Sequence, residues 1–248
     1  MPMTTQTATQ MATTALPRRS PVALFYPAMA IFAAAVIFLG FARSYYLKEI
    51  FGTPPLPLLV HLHGALMTAW MGLFIVQTTL VEKGRSDIHR RLGVAGGILA
   101  AAIVVVGPIV AVNGVRAGHH ALPGVNPLAF MAVPFGDIAV FATLVGAALY
   151  YRRRPEFHKR LMLVALITIL PPGVARWPIT FLPKGPLLFF GFPDLVLVAC
   201  IVYDYARTRR LNPAFLLGGL LLIASHPLRL MVSGTAAWMS FAHWITGV

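Results

Sequence analysis

The sequence predicts an all-α fold, a polytopic membrane helical bundle of seven transmembrane helices with N-in/C-out topology. Three features predict it. Only 11% of the 248 residues are charged and 58% are apolar, where a soluble domain carries about 25% charged and 45–50% apolar residues. Mean hydropathy is +0.78. Seven apolar stretches lie between clusters of Lys and Arg, each near the roughly 20 residues that cross about 30 Å of hydrocarbon.

Taken in order, the spans are Ser20–Ala42, a segment within Leu56–Val81, Leu92–Val112, Leu128–Tyr151, Leu161–Leu182, Leu187–Tyr205 and Pro213–Val232. The fifth is interrupted by Pro171-Pro172-Gly173, which should break the helix. Residues 1–19, rich in Thr, Ala and Gln, read as a disordered cytoplasmic tail, and residues 20–232 as the transmembrane domain. The stretch 233–248 has no Lys, Arg, Asp or Glu but contains Trp238, Phe241 and Trp244. It reads as a helix lying in the outer interface. With the N-terminus inside, 14 of the 20 Lys and Arg fall on the inner side, as the positive-inside rule requires. The expected location is a bacterial inner membrane.

The net charge of +13 is met by anionic lipid at the inner face and needs no nucleic acid as partner. One cysteine, Cys200, excludes a disulfide scaffold. The sequence contains no P-loop, Rossmann glycine fingerprint, nucleophile elbow or HExxH helix. The seventh span has no Lys for a retinal Schiff base, which removes the rhodopsin reading.

Asp87-Ile-His89-Arg90-Arg91-Leu92 recurs 69 residues later as Glu156-Phe-His158-Lys159-Arg160-Leu161. Each copy opens an outward-running helix, with an acid in the first turn where the helix dipole favours it. Arg90, Arg91, Lys159 and Arg160 are expected to bind lipid phosphate, and His89 with His158 forms a candidate pair of ligands or proton carriers. The segment His89-Arg-Arg-Leu-Gly93, following His61-Leu-His63-Gly64 on the preceding span, resembles a group of uncharacterised bacterial polytopic membrane proteins that carry HxHG and HRRLG-like elements. That resemblance implies a membrane location and a multi-helix fold, and no activity.

Ionisable groups inside membrane helices are costly and mark functional sites by default. At 1.5 Å per residue, His61, His63, Asp137, Arg176, Asp194, His226 and Arg229 all fall in one outer-leaflet layer. Asp137, Arg176, Asp194 and Arg229 are expected to form an intramembrane polar site. His61 and His63 lie about 200° apart on the helix, so one of them faces the interior. Gly64 beside His63 leaves room for a close planar group.

Bis-imidazole haem ligation needs His from different helices at one depth. His63 with His226, and His89 with His158, meet that condition and resemble b-type membrane cytochromes. The first reading is therefore a redox protein binding haem b and exchanging electrons with quinone. The alternatives are a transporter or proton-coupled permease using the Asp/Arg site, and a non-catalytic component binding lipid or a partner protein. His119-His120 forms an additional loop pair.

Overall fold

The computed structural model describes residues 21–118, 124–178 and 185–248. The expected tail at 1–19, His119-His120 and Lys184 lie outside the described residues. The elements are α1 (Pro21–Phe41), a π-helical turn (Ala42–Tyr46), α2 (Leu58–Glu82), α3 (Ser86–Arg116), α4 (Pro127–Phe130), α5 (Ala132–Tyr150), α6 (Pro155–Ile167), α7 (Pro171–Val174), α8 (Pro186–Thr208), α9 (Pro213–Ser233) and α10 (Ala236–Thr246). Among the described residues, seven helical segments are long and apolar enough to cross a membrane. The chain is an all-helical, multi-pass membrane protein.

Local chemistry sets the helix ends. Pro opens α4, α6, α7, α8 and α9, where its missing N–H costs nothing and its fixed φ suits the first turn. The side chains of Asn126, Asn212 and Thr235 accept the free N–H groups that begin α4, α9 and α10, as N-caps do. Gly84, at φ 72°, makes the tight turn between α2 and α3, a conformation that costs other residues steric strain.

Helix neighbours place α1, α2, α3, α5, α9 and α8 in a ring around α6 and α7. Phe25 stacks on Tyr203 at 4.2 Å between centroids and closes the ring between α1 and α8. The enclosed column is the least exposed part of the molecule: Leu163, Val164, Ala165, Leu166, Ile167, Thr168 and Leu170 are each at most 1% exposed. The three loops 83–85, 151–154 and 209–212, with the helix turns beside them, hold 12 of the 20 Lys and Arg and gather at one end, here the basic end. The helix α10 lies at the other, the α10 end. With 11 residues, about 16 Å, α10 is too short to cross. It docks through Trp238, whose Nε1 donates to the Leu128 carbonyl at 2.9 Å. Arg116 donates to the carbonyls of Ile245 and Thr246 and so closes its last turn.

The fifth span departs from its expected extent of Leu161–Leu182. Its helix begins at Pro155, leaves the α path after Ile167 and makes one further turn as α7. Pro171 and Pro172 cannot donate to the preceding turn, so the break falls just before them. Arg176 Nη1 donates to the Pro172 carbonyl at 2.8 Å, and Trp177 Nε1 donates to Val36 of α1 at 3.2 Å. Irregular backbone is tolerated at membrane depth when it is enclosed in protein in this way. Gly40 of α1 makes the enclosure possible: a Cβ there would collide with the backbone of Gly173.

Candidate functional site

Two ionic networks lie at opposite ends of the bundle. At the basic end, Arg160 at the start of α6 is 2% exposed. Its Nε donates to Asp204 Oδ2 at 3.0 Å and its Nη2 to Asp204 Oδ1 at 2.6 Å. Its Nη1 donates to both the carbonyl and the carboxylate of Glu156. All three nitrogens are occupied. This is the bidentate geometry in which a guanidinium–carboxylate pair is strongest.

The expectation that Arg160 binds lipid phosphate is therefore corrected. The central placement of α6 turns Arg160 toward α8 and α9, where Asp204 and Phe215 enclose it. Lys159 is partly exposed, paired with Glu156 at 2.6 Å and over the Tyr26 ring. Arg90 and Arg91, on peripheral α3, are exposed. Asp204 was missed as a site residue. The available signal was a second acid on span six at the depth of the basic pair.

Toward the α10 end, α5, α8 and α9 converge on Asp137, Asp194, His226 and Arg229. Arg229, 5% exposed, donates from Nη1 to Asp137 Oδ1 and from Nη2 to Ser225 Oγ at 2.9 Å. Gly136 lets α5 approach this closely, since a Cβ there would meet the Arg229 side chain. One residue pair away, the His226 ring lies flat on Phe190 at 4.5 Å, with Nδ1 3.4 Å from Asp194 Oδ2. No hydrogen bond forms there. Asp194 Oδ1, both nitrogens of His226 and Arg229 Nε are buried without a hydrogen-bond partner among the described residues.

The expected outer layer is thus brought together in part. Asp137, Asp194, His226 and Arg229 gather; Arg176 does not. Arg176 is exposed, and lies over the Phe41 ring at 4.6 Å, because the break before α7 turns it toward α1. This corrects its placement in the polar site.

His63 and His226, the expected haem pair, stand on helices that do not pack directly on each other. Helix α2 packs on α1 and α3, whereas α9 packs on α5, α6 and α8, and His63 makes no ring contact among the described residues. The planar group that Gly64 admits is Tyr45 of the same chain: a Cβ on Gly64 would overlap the Tyr45 ring. Tyr45 also donates to the His61 carbonyl at 3.2 Å and lies 5.8 Å from the His61 ring. His61 and His63 diverge as their 200° separation requires.

The basic-end pair does meet. The rings of His89 and His158 are 6.2 Å apart at 77°, edge to face. His158 Nδ1 is 2.8 Å from the Ala148 carbonyl. A carbonyl only accepts, so this nitrogen carries a proton and Nε2 is the ring nitrogen left free of that bond. Among the described residues no group of three or more His, Cys, Asp or Glu could hold a metal ion. Compared with known proteins, the chain matches no family model, no curated protein and no solved structure.

Proposed function

We propose that this chain is a carrier that couples movement of a small solute to a proton, with Asp194 and His226 as the proton-binding pair. One observation carries the reading. The cluster lies among three helices, yet both a buried acceptor, Asp194 Oδ1, and a buried donor, Arg229 Nε, are left without partners among the described residues. Desolvating polar groups without pairing them is unfavourable, and such a site is satisfied by a guest that both accepts and donates hydrogen bonds. Asp137 holds Arg229 in place from α5 and thereby orients its free Nε. Phe190 supports the imidazole face. The basic end faces the cytoplasm of a bacterial inner membrane in this reading, in keeping with the distribution of Lys and Arg.

The test is proton movement in vesicles that enclose a pH-sensitive dye and carry the purified protein. Zwitterionic amino acids, monocarboxylates and monovalent cations are added in turn. One class is expected to drive proton movement, and Asp194→Asn to abolish it while the protein unfolds at the wild-type temperature. Movement that survives both Asp194→Asn and His226→Gln would refute the carrier.

A second reading, a haem b protein, draws on the edge-to-face His89–His158 pair and its free Nε2. A bound backbone carbonyl on Nδ1 is the usual support for an imidazole that ligates metal through Nε2. The expected result is a Soret band that shifts on reduction and disappears in His158→Ala; colourless protein from haem-replete cells refutes it.

A further inference from the structure

The face of α2 that looks into the bundle carries three polar residues at seven-residue intervals: His63, Trp70 and Gln77. Seven residues of α-helix fall about 20° short of two full turns, so the three form one stripe, about 21 Å long from end to end. Each has a buried polar atom with no hydrogen-bond partner among the described residues: His63 Nδ1, Trp70 Nε1 and Gln77 Oε1. Trp70 is 3% exposed. Residues on the opposite face, Leu62, Ala69, Gly72 and Val76, are exposed.

The stripe continues past the helix. Gln77 Nε2 donates to the His89 carbonyl at 3.2 Å, and His89 Nδ1 is another buried atom without a partner. Its ring meets His158. Toward the α10 end, Trp70 packs edge-on against Phe141 of α5 at 5.2 Å. Asp137 lies four residues before Phe141, about one turn along the same face of α5, so the stripe passes close to the acid that anchors the outer network.

We propose that this stripe is a hydrated path along which protons pass between the Asp137–Arg229/Asp194–His226 cluster and the His89–His158 pair. Buried water makes two to four hydrogen bonds to groups the protein leaves unsatisfied, and here four such groups lie in one line instead of being scattered. The indole N–H and the amide oxygen hold water by one donor and one acceptor. His63 and His89 can pass a proton in at one ring nitrogen and release one from the other, with no net change. His158, whose Nδ1–H is held by the Ala148 carbonyl, instead takes up and releases the proton at Nε2. A proton leaving His158 emerges among the basic-end loops. The inference rests on the reading of the outer cluster as a proton site and names the route that serves it.

Two measurements on the full-length protein test it. In X-ray hydroxyl-radical footprinting, water beside a side chain generates the radical that labels it. Trp70 is expected to be oxidised despite its burial, while Phe141, 1% exposed and in contact with it, stays unlabelled. A Trp70 as inert as Phe141 means a dry stripe and overturns the path. In the vesicle assay, Trp70→Phe and Gln77→Leu keep the shape but remove the water-holding atoms. Both are expected to abolish proton movement. Movement unchanged in these variants, in a protein where Asp194→Asn abolishes it, overturns the path alone; no effect of Asp194→Asn overturns the outer site. Wild-type protein that moves no protons overturns both.

Discussion

The two ionic networks are built from the same residue types and do opposite things with them. Around Arg160 every guanidinium nitrogen has an acceptor, and both Asp204 oxygens are used. Around Arg229 one pair is closed and its neighbours are left open: Asp194 and His226 face each other without a hydrogen bond. A saturated network fixes helices against one another and has nothing left to offer a guest. An open one leaves buried donors and acceptors unpaired, which is unfavourable unless a guest satisfies them.

Removing one partner of the closed network should have the largest effect. Arg160→Met strands Asp204 without its counter-charge and is expected to cost about 3–5 kcal/mol, read as a lower midpoint in denaturant titration of the detergent-solubilised protein. Arg160→Met combined with Asp204→Leu should recover most of it. Gly136→Ala comes next. Its Cβ pushes the Arg229 side chain off Asp137, for about 1–3 kcal/mol of overpacking and a loss of solute-coupled proton movement.

Asp194→Asn tests the open side most sharply: the change in stability should stay below about 1 kcal/mol, because no hydrogen bond is broken, while proton movement disappears. Were it to destabilise as much as Arg160→Met, both networks would be scaffolding and the distinction would collapse. Arg91→Gln, at the position in α3 equivalent to Arg160, should change stability by no more than about 0.5 kcal/mol.

That last pair shows how far the sequence could be read. The repeated acid-x-His-basic-basic-Leu segment is visible in the sequence, and in both copies it opens a helix with the acid in the first turn. One copy nevertheless sits on the rim and the other in the centre, so Arg91 is exposed while Arg160 is enclosed. In a soluble protein, a helix apolar on every side announces its burial. In a membrane lipid is as apolar as the core, and that signal is lost.

The helices, their approximate ends and the break at Pro171-Pro172 were legible because they depend on local properties: run length against bilayer thickness, proline's missing donor, capping side chains. Depth was legible for the same reason, since rise per residue fixes it, and four of the expected outer polar residues do converge. Azimuth was not. Whether His226 meets His63 or Asp194, whether Gly64 admits a cofactor or Tyr45, and whether Arg176 joins the cluster or seals a broken helix depend on which helices are neighbours. That choice belongs to the packing of small residues such as Gly40, Gly64 and Gly136 against groups far away in the chain, and only the assembled bundle decides it.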